Sequence, residues 1–96
     1  MLIHISKGTT KMTFEKSERP IDRWKRLAEI VRFGNRYRII FYDGDCYEAD
    51  FQVLNSGEDD VEMTIRNVSV ISGDPQYNGM KSMFLGLSEV QEIRSI

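Results

Sequence analysis

Catalysis and metal binding need side chains able to converge on one point, and this chain holds few of the usual ones. Its 96 residues include one histidine, His4, and one cysteine, Cys46. A Cys46–His4 couple would need a third group to orient the imidazole, and no activating motif surrounds either residue. A lone cysteine closes no intrachain disulfide and builds no cysteine metal cage. Inside an apolar strand pattern Cys46 reads as a small core hydrophobe. Carboxylates are more plentiful: Asp43, Asp45, Glu48 and Asp50 crowd one hairpin, and Glu58, Asp59, Asp60 and Glu62 the next loop. Paired carboxylates cleave glycosidic bonds when held roughly 5–9.5 Å apart in a cleft, and carboxylate clusters bind hard divalent ions. Neither cluster has calcium-loop spacing, and both fall at hairpin tips, where they read as solvated turns. The seven glycines are scattered and none opens a helix, so no phosphate-cradling loop is present. The inventory predicts a protein that is not an enzyme, with no catalytic residue, metal or cofactor.

Charge distribution is the more informative signal. The formal net charge is only -2, but residues 1–38 carry ten Lys or Arg against four acids, and residues 39–96 carry three against eleven. The basic half gathers Arg19, Arg23, Arg26, Arg36 and Arg38 around one helix and the strand after it. Such a patch suits contact with phosphates, in RNA or in a small anionic ligand, with Trp24 or Tyr37 available for stacking. It equally suits a protein interface, where the guanidinium fork matches carboxylates and the stem covers apolar area. Opposed charge halves favour self-association or docking onto an acidic partner. The segment from Asp74 to Met83 adds Tyr77 and Met80, residues that adapt well to a contact surface. On this reading, reversing Arg23 and Arg26 to Glu weakens partner binding and leaves the fold intact.

These residues must be positioned by one domain, since 96 residues supply one modest core and no more. Residues 1–16 read as a hairpin: Ile3 and Ile5 alternate with polar neighbours, Lys7-Gly8 turns, and Met12 and Phe14 alternate again. A helix is expected over 18–34, with Pro20 in its first turn and Asp22 at its positive end. Ile21, Trp24, Leu27, Ala28 and Val31 share one face, with Trp24 as the anchor, and Gly34 with Asn35 stops the helix. From Tyr37 the period becomes two. Tyr37, Ile39 and Phe41 lead to the tight Asp43-Gly44 turn, followed by Tyr47, Ala49, Phe51 and Val53 on one face. Val61, Met63 and Ile65 open a further strand that runs on through Val70. After the breaker-rich stretch Gly73 to Gly79, Lys81 to Leu85 and Val90 to Ile96 read as closing strands. Short strands packed against an early helix imply a small, strongly bent sheet or barrel.

The block from Tyr37 through Asp43-Gly44 and Tyr47 to Phe51 resembles the first two strands of Sm-like barrels. The ending, Phe84-Leu85-Gly86-Leu87-Ser88-Glu89-Val90-Gln91-Glu92-Ile93, is similar to their last strands, with a short crossing turn before the final one. The resemblance covers residues 18–96 and implies a mainly β fold, a small Sm-like or SH3-like barrel over 37–96, with the hairpin as an addition. Ring-forming, RNA-binding members carry Asp and Asn after the second strand and an Arg-Gly pair before the last. Here Asn55 and Glu58 stand in the first region, and Leu85-Gly86-Leu87, with no Arg before Gly86, in the second. The resemblance thus implies the fold without the nucleotide pocket.

No apolar run is long enough to span a bilayer and no signal peptide is visible, so a cytoplasmic protein without membrane contact is expected. The function expected is non-enzymatic binding or regulation through protein–protein contacts, in an oligomer. The alternatives are an RNA-binding module using the basic helix, and an oligomer that binds a small anion or nucleotide. The residues expected to carry contact are Arg19, Arg23, Arg26, Arg36, Arg38, Tyr77 and Met80.

Overall fold

A computed structural model describes residues 11–56 and 60–96. The order of elements is β1 (Lys11–Thr13), α1 (Pro20–Ile30), β2 (Arg36–Phe41), β3 (Cys46–Ser56), β4 (Val61–Ser72), β5 (Ser82–Gly86) and β6 (Val90–Ser95), with 3-10 turns at Pro75–Tyr77 and Leu87–Glu89. The strands form one antiparallel six-stranded sheet in the order β1-β6-β2-β3-β4-β5. Of the expected hairpin, Lys11–Thr13 is a strand; Ile3, His4, Ile5 and the Lys7-Gly8 turn lie outside the described residues, as do Glu58 and Asp59.

The expected Sm-like or SH3-like barrel does not form: the sheet is open, and the resemblance fails at closure. Closing it would join its two edge strands, β5 and β1, and no such pairing is present among the described residues. The Leu87–Glu89 turn instead carries β6 across to lie beside β2, and β6's second edge is taken by β1, Met12 standing opposite Ile93. With both edges of β6 occupied, β5 pairs among the described strands with β4 alone.

Within the strands the alternation works as the sequence implies. Tyr37, Ile39, Phe41, Tyr47, Ala49, Phe51, Met63 and Ile65 all turn inward and are buried. The Asp43-Gly44 turn is closed by the Gly44 N–H on the Phe41 carbonyl and the Asp45 N–H on the Asp43 carboxylate. Its glycine takes a positive φ of 96°, which a side chain disfavours. Irregularities bend β3 and β4. Phe51 pairs with Ile65 and Val53 with Thr64, leaving Gln52 as an extra residue that flips the strand. Val53, expected in the core, faces out, and Leu54 packs inward instead.

Helix α1 begins at Pro20 and ends sooner than expected. Gly34 and Asn35 exchange backbone hydrogen bonds with Phe51, extending the β2–β3 ladder, so they cannot belong to a helix. Val31 takes an extended conformation with its N–H on the Leu27 carbonyl, and the Arg32 side chain folds back onto the carbonyls of Glu29 and Val31. The buried stripe is Arg23, Leu27 and Val31, with Ile30 partly covered. Ile21 and Ala28 are exposed and Trp24 is half-buried, so the helix is rotated from the expected face and an arginine occupies the core position. No described helix is long and apolar enough to cross a membrane.

Candidate interaction surface

Arg23 is 1% exposed, and its charge pairs with no carboxylate among the described residues. A guanidinium has five N–H donors in a fixed fork, and each finds an acceptor. Nη1 donates to the carbonyls of Leu87 (2.6 Å) and Val90 (2.7 Å). Nη2 donates to the Glu15 carbonyl (2.8 Å) and the Tyr42 hydroxyl (3.0 Å), and Nε to the Glu18 carbonyl (3.1 Å). The rings of Phe14 and Tyr42 lie 5.1 and 5.6 Å from the guanidinium carbon, within cation–π range. The Tyr42 hydroxyl in turn donates to the Phe14 carbonyl. Arg23 thus ties the helix to the chain before it and to the turn that launches β6. It offers nothing to a partner, and a Glu there would set a carboxylate among carbonyl oxygens, so the expected binding-only effect of its reversal does not hold.

The other expected contact residues are scattered. Arg19 pairs with Asp22 on the exposed start of α1, drawing the Asp22 carboxyl below its usual range. Arg26 grips Glu18 at 2.7 and 2.8 Å and lies over the Phe14 ring. Arg36 and Arg38 belong to the outer face of the sheet. Arg36 donates to Asp50, the carbonyls of Glu48 and Asn67, and the Ser69 hydroxyl, and Arg38 to Glu48. Asn67, with a positive φ of 54°, donates to the second Asp50 oxygen, and the two hydrogen bonds hold the Asp50 carboxyl below its usual range. Tyr77 packs on Tyr47, ring centroids 6.2 Å apart, beyond the end of β4, and Met80 lies exposed beside it. The structure does not bring these seven residues into one site.

Among the described residues, a groove and a sheet edge have apolar character. A groove of about 230 Å³ runs between Trp24, Ala28 and Val31 of the helix segment and Phe51–Leu54 of β3. Its only polar side chain is Gln52, and it is smaller than the usual span for small-molecule sites. The second is the edge strand β5. Met83 and Leu85 turn inward, so Phe84 stands outward at 65% exposed, in the middle of Ser82–Gly86. Thr64 pairs with Phe84 on one side and Val53 on the other, which lines the exposed Val53 and Phe84 along one row of the outer face. Phe84 is not among the residues expected to carry contact. Alternation carried through Met83 and Leu85 would have placed an aromatic side chain on the polar face of an uncharged strand.

Among the described residues no group of three or more His, Cys, Asp or Glu is placed to hold a metal ion. Burial pushes the Cys46 thiol up, the opposite of an activated nucleophile. Compared with known protein families, characterised proteins and solved structures, the chain matches none.

Proposed function

We propose that the protein is a non-enzymatic binding protein that acts through protein–protein contacts as an oligomer, and that the contact is the outer edge of β5. The observation that carries this reading is Phe84, 65% exposed at the centre of an edge strand without a charged residue. Edge strands present unpaired N–H and C=O groups, and monomeric proteins blunt them with Lys, Pro, bulges or a covering element. Ser82–Gly86 has none of the first three, and no described strand covers it. Addition of an extended segment there supplies main-chain hydrogen bonds, with Phe84 giving the apolar contact. The basic helix supports a phosphate contact less well, because Arg19 and Arg26 are paired and Arg23 is buried.

The test is the mass in solution of the wild-type protein and of Phe84→Glu, by light scattering and native mass spectrometry, with absorbance at 260 and 280 nm on the same samples. The expected result is a wild-type oligomer free of nucleic acid and a folded, monomeric variant. Co-purifying RNA that leaves as salt rises, with no effect of the substitution, overturns the reading.

A further inference from the structure

We infer that the occupant of the β5 edge is a second copy of this chain, paired antiparallel about a two-fold axis through Phe84; this rests on the reading of β5 as the contact surface. An isologous dimer needs a patch complementary to itself, and a strand meets that condition when the residue at its centre can face its own copy. Ser82–Gly86 has Phe84 at its midpoint. With Phe84 opposite Phe84 of the partner subunit, Met83 faces Leu85 of the partner subunit and Ser82 faces Gly86 of the partner subunit. No charge is set against a like charge along the seam, and the central pair is aromatic on aromatic, a favourable cross-strand combination.

The ends of the strand are complementary as well. Asp60 sits over Gly86, in contact with the place a Cβ would occupy there, held by the Ser88 hydroxyl at 2.7 Å. At the opposite end Lys81 precedes the strand, exposed and outside every ion pair among the described residues. The two-fold axis brings Ser82 and Lys81 of the partner subunit to Asp60, and by symmetry repeats that contact at the other end. The axis also joins the apolar rows. Val53, Thr64 and Phe84 continue directly into Phe84, Thr64 and Val53 of the partner subunit, giving one row across six strands of a continuous sheet.

A residue on a two-fold axis cross-links to itself, which separates this arrangement from any other use of the same edge. In a Cys46→Ser background, Phe84→Cys should form a disulfide-linked dimer on mild oxidation, and Gln76→Cys, exposed on the Pro75–Tyr77 turn, should not. Lys81→Glu should raise the dissociation constant of the dimer about tenfold, through two like-charge contacts. An assembly that Phe84→Glu dissolves, but in which Phe84→Cys fails to cross-link, overturns the two-fold seam and leaves the edge reading standing. A wild-type protein that stays monomeric up to about 100 µM, or an oligomer indifferent to Phe84→Glu, overturns both.

Discussion

Replacing Arg23 by Met keeps the length of the side chain and removes all five donors. The Val90 carbonyl then loses Arg23, and the Leu87 carbonyl, which keeps the Val90 N–H, loses a hydrogen bond to a charged group, at residues that are both 0% exposed, where water cannot replace them. A buried acceptor left unsatisfied costs about 1–3 kcal/mol and a lost hydrogen bond to a charged group about 1.5–3 kcal/mol, so the two together cost about 2–6 kcal/mol. The Glu15 and Glu18 carbonyls and the Tyr42 hydroxyl lie nearer the surface and recover hydration. Met also avoids the burial of a cation, which offsets part of the loss. The net expectation is a destabilisation of about 2–4 kcal/mol, a large share of the roughly 5–15 kcal/mol available to a domain. Read thermally, that lowers the midpoint by roughly 10–25 °C. Arg23→Lys should lose nearly as much, because one ammonium cannot reach acceptors spread around a planar fork. Urea unfolding followed by the fluorescence of Trp24, the single tryptophan, gives the numbers. Arg26→Met, which breaks the half-exposed pair with Glu18, an exposed hydrogen bond to the Thr13 carbonyl and the contact over the Phe14 ring, should cost only about 1 kcal/mol. A loss below about 1 kcal/mol for Arg23→Met, or equal losses for the two variants, refutes the assignment of Arg23 as the internal tie.

Gly73 has a φ of 129° and the Asp45 carboxylate carbon 2.8 Å from where a Cβ would stand, whereas Gly44 has a φ of 96° and open space. Gly73→Ala should therefore lower the thermal midpoint more than Gly44→Ala, which bears only the roughly 1 kcal/mol of backbone strain; equal shifts would show that Asp45 yields freely. Because the Asp50 carboxyl is held low by Asn67 and Arg36, its contribution is complete above its unfolded value and is lost as pH falls through the lowered one. Asp50→Asn should thus reduce stability at neutral pH and flatten the acid limb of the stability profile, the two proteins converging in strong acid. The Cys46 thiol, buried and shifted upward, should react with a thiol reagent at mildly alkaline pH far more slowly in the native protein than in urea.

Much of the sheet is legible in the sequence because strand alternation is local. Tyr37, Ile39 and Phe41 announce their face within six residues, and Asp43-Gly44 announces the turn after them. What alternation cannot carry is an inserted residue: Gln52 changes the face of everything after it, so Val53 and Leu54 exchange roles with no change in composition to mark it. Arg23 is hidden for a different reason. Between Asp22 and Trp24 it has the pattern of a solvated helix charge, and the carbonyls that accept from it lie 64 and 67 residues further along the chain. Its burial also explains the rotation of the helix, which exposes Ile21 and leaves Trp24 at the rim of the groove. The failure of closure has the same non-local origin, since nothing within β6 says that Lys11–Thr13 will take its second edge.

The place of β6 also has a consequence for how the protein is made. It follows the other five strands in the chain, yet in the sheet it lies between β1 and β2. When residues 11–86 have emerged, β1 still lacks its only sheet neighbour among the described residues, and one side of β2 is open. Contacts as distant in the chain as Met12 with Ile93 belong to slowly folding topologies. The nascent chain therefore carries two unfinished edges until Val90 and the residues after it arrive. The sheet is completed by insertion, and a chain halted before Val90 has no route to it.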